Sequence, residues 1–237
     1  MKSTIGTDAL KLTTSKFISL VISMVTAMLL ARFLTLEEYG TYAQLLLVTN
    51  IVSTLFMLGL PNSINYFLAS ATDDNEKQKF LSVYYTFSTV LSIITGTVLV
   101  ICTPLIVIYF EKPLIKNFMY VLAILPWAKI ILSSVENVLI IYNKANHIMV
   151  FRVLNSFLLL SIIFVVEIFD LGFSIYMFLF IVIEGLLALS IYFIVKKISR
   201  KLSLNFDMEW LRKILVFSIP IGLASVVSVL SIELDKI

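Results

Sequence analysis

Long apolar runs separated by short polar links dominate the hydrophobic pattern of this chain. A helix that spans a membrane needs ~20 consecutive, largely apolar residues, and most of the runs approach or exceed that length. The pattern therefore predicts seven transmembrane helices. They cover residues 17–31, 43–60, 82–110, 118–141, 149–169, 173–195 and 214–237.

The composition supports the same class of protein. Apolar residues make up 60% of the 237 positions and charged residues 14%, and the mean hydropathy is +1.03. A soluble globular domain has fewer apolar and more charged residues. The chain is therefore predicted to be an all-α polytopic membrane protein. Its single cysteine, Cys102, excludes an internal disulfide, and its single histidine, His147, excludes a metal site with two histidines from this chain. No cofactor is predicted.

The basic residues lie mainly in the links between the runs. The isoelectric point is near 8.9, but this distribution is typical of membrane topology rather than of nucleic-acid binding. Most lysines and arginines fall on the side that holds the N-terminus, including the long link 196–213. The positive-inside rule therefore predicts a cytoplasmic N-terminus. Within that link, Asp207 is predicted to cap the start of the last helix, with Trp210 as an interface anchor.

Two charged residues, Lys129 and Glu136, interrupt the fourth run. A charge at mid-depth costs ~2.5–3.5 kcal/mol on insertion scales, so both side chains are expected to face protein or water. With Ser133 and Asn137 they follow the spacing of one helical face, which predicts a single inward polar stripe. Glu184, at the centre of the sixth run, is the predicted partner of Lys129.

Uncharged polar residues also occur inside the runs. Asn50 lies within the second run, where an amide most often bonds to a neighbouring helix. The first run carries hydroxyl groups along one face, which either pack against another helix or line a cavity. They belong to Ser15, Ser19, Ser23 and Thr26. Pro61 is expected to break the second run, and Gly96 and Pro104 to bend the third.

Residues 31–42 (ARFLTLEEYGTY) resemble the Arg-x-Leu-x-x-x-Glu-Tyr-Gly-x-Tyr signature that follows the first helix of Wzx-type polysaccharide flippases, with Phe33 before the usual leucine. Residues 59–61 (GLP), 217–222 (FSIPIG) and 235–237 (DKI) are similar to further positions of that family. The order and spacing of these segments agree with the family across essentially the whole chain.

The resemblance implies the multidrug/oligosaccharidyl-lipid/polysaccharide exporter fold, in which two six-helix bundles surround a central cavity. Such proteins move undecaprenyl-diphosphate-linked glycan repeat units from the inner to the outer leaflet. The expected division is a six-helix bundle at 1–195, a cytoplasmic linker at 196–213 and the first helix of a second bundle at 214–237. Because the chain stops directly after a span-length run, it is expected to be a fragment or the product of a truncated reading frame.

The family's cavities tend to be cationic, since they receive a diphosphate. The residues predicted to bind substrate are Lys129, Arg32, Asn137 and Asn50. The residues predicted to bind a coupling proton or Na⁺ are Glu136, Glu184 and Asp235. For the buried charges, an ion pair that only fixes helix packing is the alternative.

The expected partners are a lipid-linked oligosaccharide, membrane lipid, H⁺ or Na⁺, and other polysaccharide assembly proteins, with no nucleic acid. The expected location is the bacterial cytoplasmic membrane, in O-antigen or capsule assembly. A membrane-embedded glycan polymerase or acyltransferase is the competing class, but such enzymes need bases, nucleophiles or metal ligands on sizeable loops. The links on the outer side are short and hold no histidine. A transporter rather than an enzyme is therefore predicted, and a non-transporting scaffold stays open.

Overall fold

The computed structural model describes residues 2–199, 203 and 206–233 of the chain, and these form helices with no strand among them. Short turns join most of the helices. A π-helix (Ile64–Leu68) follows α3 and a 3₁₀ helix (Pro113–Phe118) precedes α6. The α-helices are α1 (Lys2–Phe33), α2 (Leu36–Met57), α3 (Leu60–Ser63), α4 (Asp74–Ile101), α5 (Thr103–Phe110), α6 (Met119–Leu132), α7 (Val135–Ile141), α8 (Ala145–Ile168), α9 (Gly172–Ser199) and α10 (Met208–Glu233).

Six helical segments in the described residues are long and apolar enough to cross a membrane. This finding confirms the prediction of an all-α polytopic membrane protein. The segments are Gly6–Phe33, Leu36–Met57, Asp74–Ile101, Pro113–Ile141, Ala145–Ile168 and Gly172–Ser199. The seventh predicted span falls in α10, which the structure describes as far as Glu233. Asp235 lies outside the described residues.

The breaks in the second and third runs differ in part from the expected positions. The chain turns at Leu58 and Gly59, which both adopt left-handed backbone conformations, and Pro61 lies in the first turn of α3 instead of forming the break. In the third run, α4 ends at Ile101 and α5 follows it. Pro104 lies in the first turn of α5, so the run bends near this proline as expected. Gly96 has a packing role, because a Cβ there would stand 2.4 Å from the carbonyl oxygen of Ala123 in α6.

The fourth run is also discontinuous, since Ser133 and Ser134 separate α6 from α7. Each serine hydroxyl donates to the carbonyl three residues earlier, at 2.7 Å. The Ser134 hydroxyl is also 2.9 Å from the hydroxyl of Tyr85 in α4. Because the helix is interrupted here, the expected single stripe of Lys129, Glu136 and Asn137 is wrong. The three side chains interact with three different helices, as described below.

The helices pack around two apolar clusters. Helix α6 lies between α4 and α9, and α1 packs mainly along α8. One cluster, which includes Phe80 and Val135, lies towards the end of the bundle where α7 meets α8. The other, which includes Phe118 and Phe173, lies towards the opposite end, where α8 meets α9. Helix α10 packs on α2, α3 and α4.

The predicted cap of α10 is confirmed. Asp207 Oδ1 accepts hydrogen bonds from the backbone N–H groups of Glu209 at 3.0 Å and Trp210 at 3.2 Å. Its other carboxylate oxygen lies 2.6 Å from Nζ of Lys79 in α4. This single carboxylate therefore both starts α10 and ties it to α4.

Candidate functional site

Three cavities form a row between α1 and α8, and each is named here by one residue in its wall. The Arg152 cavity has a volume of about 170 Å³, the Tyr42 cavity about 290 Å³ and the Glu167 cavity about 130 Å³. Ser156 is in the walls of the first two, and Leu30 in the walls of the last two. From Ser19 to Phe33 the row follows ~21 Å of helix, at 1.5 Å per residue. It therefore follows most of the ~30 Å that a bilayer core measures.

The Arg152 cavity lies at the end of the row nearest the N-terminus and contains an ion pair. Nε of Arg152 donates to Oε1 of Glu136 at 3.1 Å, and Nη2 of the same guanidinium donates to the same oxygen. The third guanidinium nitrogen, Nη1, donates to the carbonyl of Leu12 at 3.0 Å and to the hydroxyl of Ser15 at 3.3 Å. Arg152 thus joins α8 to both α1 and α7.

The Tyr42 cavity lies in the middle of the row, between α1, α2 and α8. Ser23 and Thr26 of α1 face Tyr39 and Tyr42 of α2 across it. Towards the N-terminus on the same face of α1, Ser15 bonds to Arg152, and Ser19 bonds to Ser156 of α8. The hydroxyl-bearing face of α1 therefore fits both interpretations, with packing in its first half and a cavity wall in its second.

The Glu167 cavity lies at the far end of the row and carries three carboxylates. The Glu38 carboxylate accepts from the backbone N–H of Thr35 at 2.9 Å and completes a capping box at the start of α2. Glu167 and Asp170 come from the end of α8 and its turn into α9. The row thus runs from a cation paired with one carboxylate to a group of carboxylates.

Lys129 and Glu184 lie near each other in the interior, on α6 and α9. Each is the charged group that acts electrostatically on the other, and Glu184 also acts on Tyr42. The two side chains are close enough to act on each other electrostatically, and their partnership as an ion pair stays a prediction. The ion pairs within 4.0 Å in the described residues do not include them, so they interact without direct contact. Neither residue lines the three cavities.

The remaining predicted site residues are dispersed. Nδ2 of Asn137 donates to the carbonyl of Pro61 at 2.9 Å, which ties α7 to α3. Asn50 is partly buried in α2, and Arg32 is exposed in the last turn of α1. The structure therefore places Glu136 at a cavity and the predicted substrate-binding residues elsewhere.

Arg152 is the residue that the sequence analysis missed as a candidate. Arg152 lies near the start of the fifth run, where a basic residue commonly has a topological role. A signal was present, however, because Arg152, Asn155, Ser156 and Leu159 follow the i, i+3, i+4, i+7 spacing of one helical face. Three of those four residues are polar in an otherwise apolar helix.

The helices, with cavities between α1 and α8 whose walls include hydroxyl, guanidinium and carboxylate groups, define a multi-pass membrane protein. Residues 29–237 match the family model described as polysaccharide biosynthesis protein. The chain belongs to this family of polysaccharide biosynthesis proteins. No curated protein and no solved structure gives a significant match.

Proposed function

We propose that this protein is a flippase, which moves undecaprenyl-diphosphate-linked oligosaccharide repeat units across the bacterial cytoplasmic membrane. Surface polysaccharides such as O-antigen or capsule would be the products of the pathway it serves. Membership of the polysaccharide biosynthesis family supports the substrate class. The resemblance of residues 31–42 to Wzx-type flippases supports the transport step.

The row of three cavities along α1 is the observation that carries this proposal. A lipid-linked sugar diphosphate has a polar headgroup that must cross the bilayer core, whereas its polyprenyl tail stays in lipid. A polar headgroup in hydrocarbon leaves its hydrogen-bonding groups unsatisfied, so the protein must supply polar partners throughout the crossing. The hydroxyl, guanidinium and carboxylate groups between α1 and α8 provide such partners over ~21 Å of helix.

We propose a transporter rather than an enzyme, with H⁺ or Na⁺ as the coupling ion. Glu136 lies in the wall of the Arg152 cavity and pairs with Arg152, so a change in the charge of Glu136 alters a polar interaction there. Coupling requires such a difference in interaction between two states of the site.

The test is to delete the gene in its host and locate labelled lipid-linked repeat units. A flippase predicts that these units accumulate in the inner leaflet and that the intact protein restores transfer. Normal transfer with shortened glycan chains would instead identify a polymerase. Normal transfer with normal glycan would leave the protein as a scaffold.

A further inference from the structure

Arg152 is held in place by groups other than its ionic partner. Its Nη1 donates to the carbonyl of Leu12 and to the hydroxyl of Ser15, both on α1. The Arg152 side chain is 18% exposed. These contacts fix the guanidinium from one side, so its position at the cavity does not depend on Glu136.

Glu136 is held much less firmly. Its side chain is 52% exposed, and within the described part of the chain its hydrogen-bonding partner is Arg152. Nε and Nη2 of the guanidinium both donate to one oxygen, Oε1. The guanidinium fork is best matched by two separate oxygens, as in bidentate carboxylate or phosphate pairs. A ligand with two suitably spaced anionic oxygens would therefore form stronger hydrogen bonds with Nε and Nη2 of Arg152 than Glu136 does.

We propose that the Arg152 cavity binds a phosphate group of the lipid-linked ligand, and that Glu136 occupies the place of this phosphate while the site is empty. The proposal rests on the function proposed above. When the ligand enters, two phosphate oxygens accept hydrogen bonds from Nε and Nη2 of Arg152, and the Glu136 carboxylate moves away from the guanidinium. The Glu136 side chain is 52% exposed, so it has room to move away from Arg152 when the phosphate binds.

The walls of the cavity supply a second kind of contact. Oδ1 of Asn155 is buried and has no hydrogen-bond partner in the described residues. The hydroxyls of Ser19 and Ser156 lie in the same walls. A buried acceptor without a hydrogen bond is unfavourable, so a donor from a ligand is favoured there. Arg152 and Asn155 together fit a sugar phosphate, with the phosphate on the guanidinium and a sugar hydroxyl on the amide oxygen.

The end of the bundle next to the cavity is basic. Lys11, one turn before Ser15 on α1, donates to Oδ1 of Asn146 near the start of α8 at 2.9 Å. Lys11 also lies 3.7 Å from Asp8, and both side chains are 41% exposed. Lys144 is exposed at the start of the same helix. These lysines attract an anionic headgroup towards the cavity.

The test measures binding of farnesyl diphosphate to the full chain in nanodiscs of a zwitterionic lipid. We expect Glu136→Gln to bind the probe at least ~3-fold more tightly than the wild type, because it removes the competing carboxylate charge. We expect Arg152→Gln to bind the probe at least ~10-fold more weakly, because it loses one charge-assisted pair with the phosphate. Arg152→Lys keeps the charge without the fork and should fall between Arg152→Gln and the wild type. Glu76→Gln and Arg212→Gln, at exposed positions away from the cavity, are the matched controls.

The opposite signs of the two changes separate a binding role from a structural one. If the ion pair only stabilises the fold, Glu136→Gln will bind no better than the wild type, and the proposal is wrong. This comparison keeps the native arginine, so it decides the question even if Arg152→Gln does not fold. The thermal midpoint of each variant identifies such a folding defect.

Binding measurements with two other phosphate-containing molecules identify the source of the phosphate. Inorganic pyrophosphate that binds as tightly as farnesyl diphosphate would make this a site for free phosphate. Phosphatidylglycerol that displaces the probe at an equal mole fraction would make it a site for ordinary anionic lipid. Either result would overturn the proposed ligand, whereas weak competition by both would support it.

The outcome for this site is distinguishable from that of the proposed function. Equal probe binding by wild type and Arg152→Gln would overturn the site and leave the flippase intact. No binding by the wild type would also overturn the site, and the deletion experiment would then decide the flippase on its own. Normal transfer of repeat units in the deletion strain, together with no binding, would overturn both.

Discussion

The backbone of Gly59, in the turn between α2 and α3, lies directly against the backbone of Gly222 in α10. A Cβ built on Gly59 would stand 2.6 Å from the Gly222 nitrogen, and one built on Gly222 would stand 2.4 Å from the Leu58 carbonyl carbon. Gly59 also needs its positive φ of 71°. Two of the segments that resemble the flippase family, residues 59–61 and 217–222, thus meet at these two glycines.

Gly222→Ala should destabilise the packing of α10 by ~1–3 kcal/mol, the usual cost of overpacking. The clash is with backbone atoms, which cannot rotate away. Alanine raises helix propensity by ~1 kcal/mol, so a loss of stability isolates the contact. The thermal midpoint of the purified protein is the measurement, and Gly6→Ala, with no atom within 4 Å of the added Cβ, is the control. Equal midpoints for the two variants would contradict the close approach.

Lys129→Met and Glu184→Gln should each reduce the amount of folded protein in the membrane, because each leaves a charge without its electrostatic partner. The double variant should recover part of the loss, with a coupling of ~0.5–3 kcal/mol. Folded protein is measured by detergent extraction and gel filtration. Strictly additive losses would show that the two charges do not interact.

The same double variant also tests whether Lys129 contacts substrate. Because Lys129 lines none of the three cavities, we expect the neutral pair to support surface glycan as well as Lys129→Arg does, per amount of protein in the membrane. Surface glycan in a deletion strain is the measurement. Retained activity in Lys129→Arg with lost activity in the neutral pair would restore the substrate-binding role.

The asymmetry of basic residues predicts that the α7–α8 link faces the cytoplasm and the 3₁₀ helix before α6 faces outward. In a Cys102→Ala background, Lys144→Cys should be protected from an impermeant thiol reagent in intact cells, and Asn117→Cys should react. Both positions are exposed, so burial does not confuse the result. Permeabilised cells, in which both should react, are the control. The reverse labelling pattern would invert the topology.

The start of α10 should loosen in acid. The hydrogen bond from Lys79, together with the backbone N–H of Trp210, holds the pKa of Asp207 below its usual value. A depressed pKa stabilises the folded state above the unfolded pKa of about 3.9, and this contribution is lost as the pH falls through the folded value. Trp210 fluorescence in a Trp127→Phe background should therefore change at the acid end of a titration.

Asp207→Asn keeps a capping side chain but removes the charge, so its Trp210 signal should be independent of pH over the same range. Asp73→Asn, at a helix start whose side chain makes no capping bond, should titrate like the wild type. A signal that titrates equally in wild type and Asp207→Asn would contradict this assignment.

The sequence determined the class of the protein and most of its spans. Apolar blocks near ~20 residues long have few stable environments other than a bilayer, so six candidate spans followed from the pattern alone. The sequence was also sufficient for a feature that depends only on neighbouring residues, the cap of α10. Asp207 capped α10 as predicted, because a capping carboxylate needs only backbone N–H groups two and three residues ahead.

Tertiary structure decided which polar side chains meet. The break at Ser133 and Ser134 separates Lys129 from Glu136, and the spacing of one continuous helix did not reveal it. Glu136 and Arg152 are 16 residues apart on two helices, and the contacts of Arg152 with α1 depend on how α1 lies along α8. Helical periodicity determines which residues share one face of a helix, but packing between helices determines which neighbouring helix that face contacts. The Arg152 cavity and the Gly59–Gly222 contact are for this reason properties of the fold.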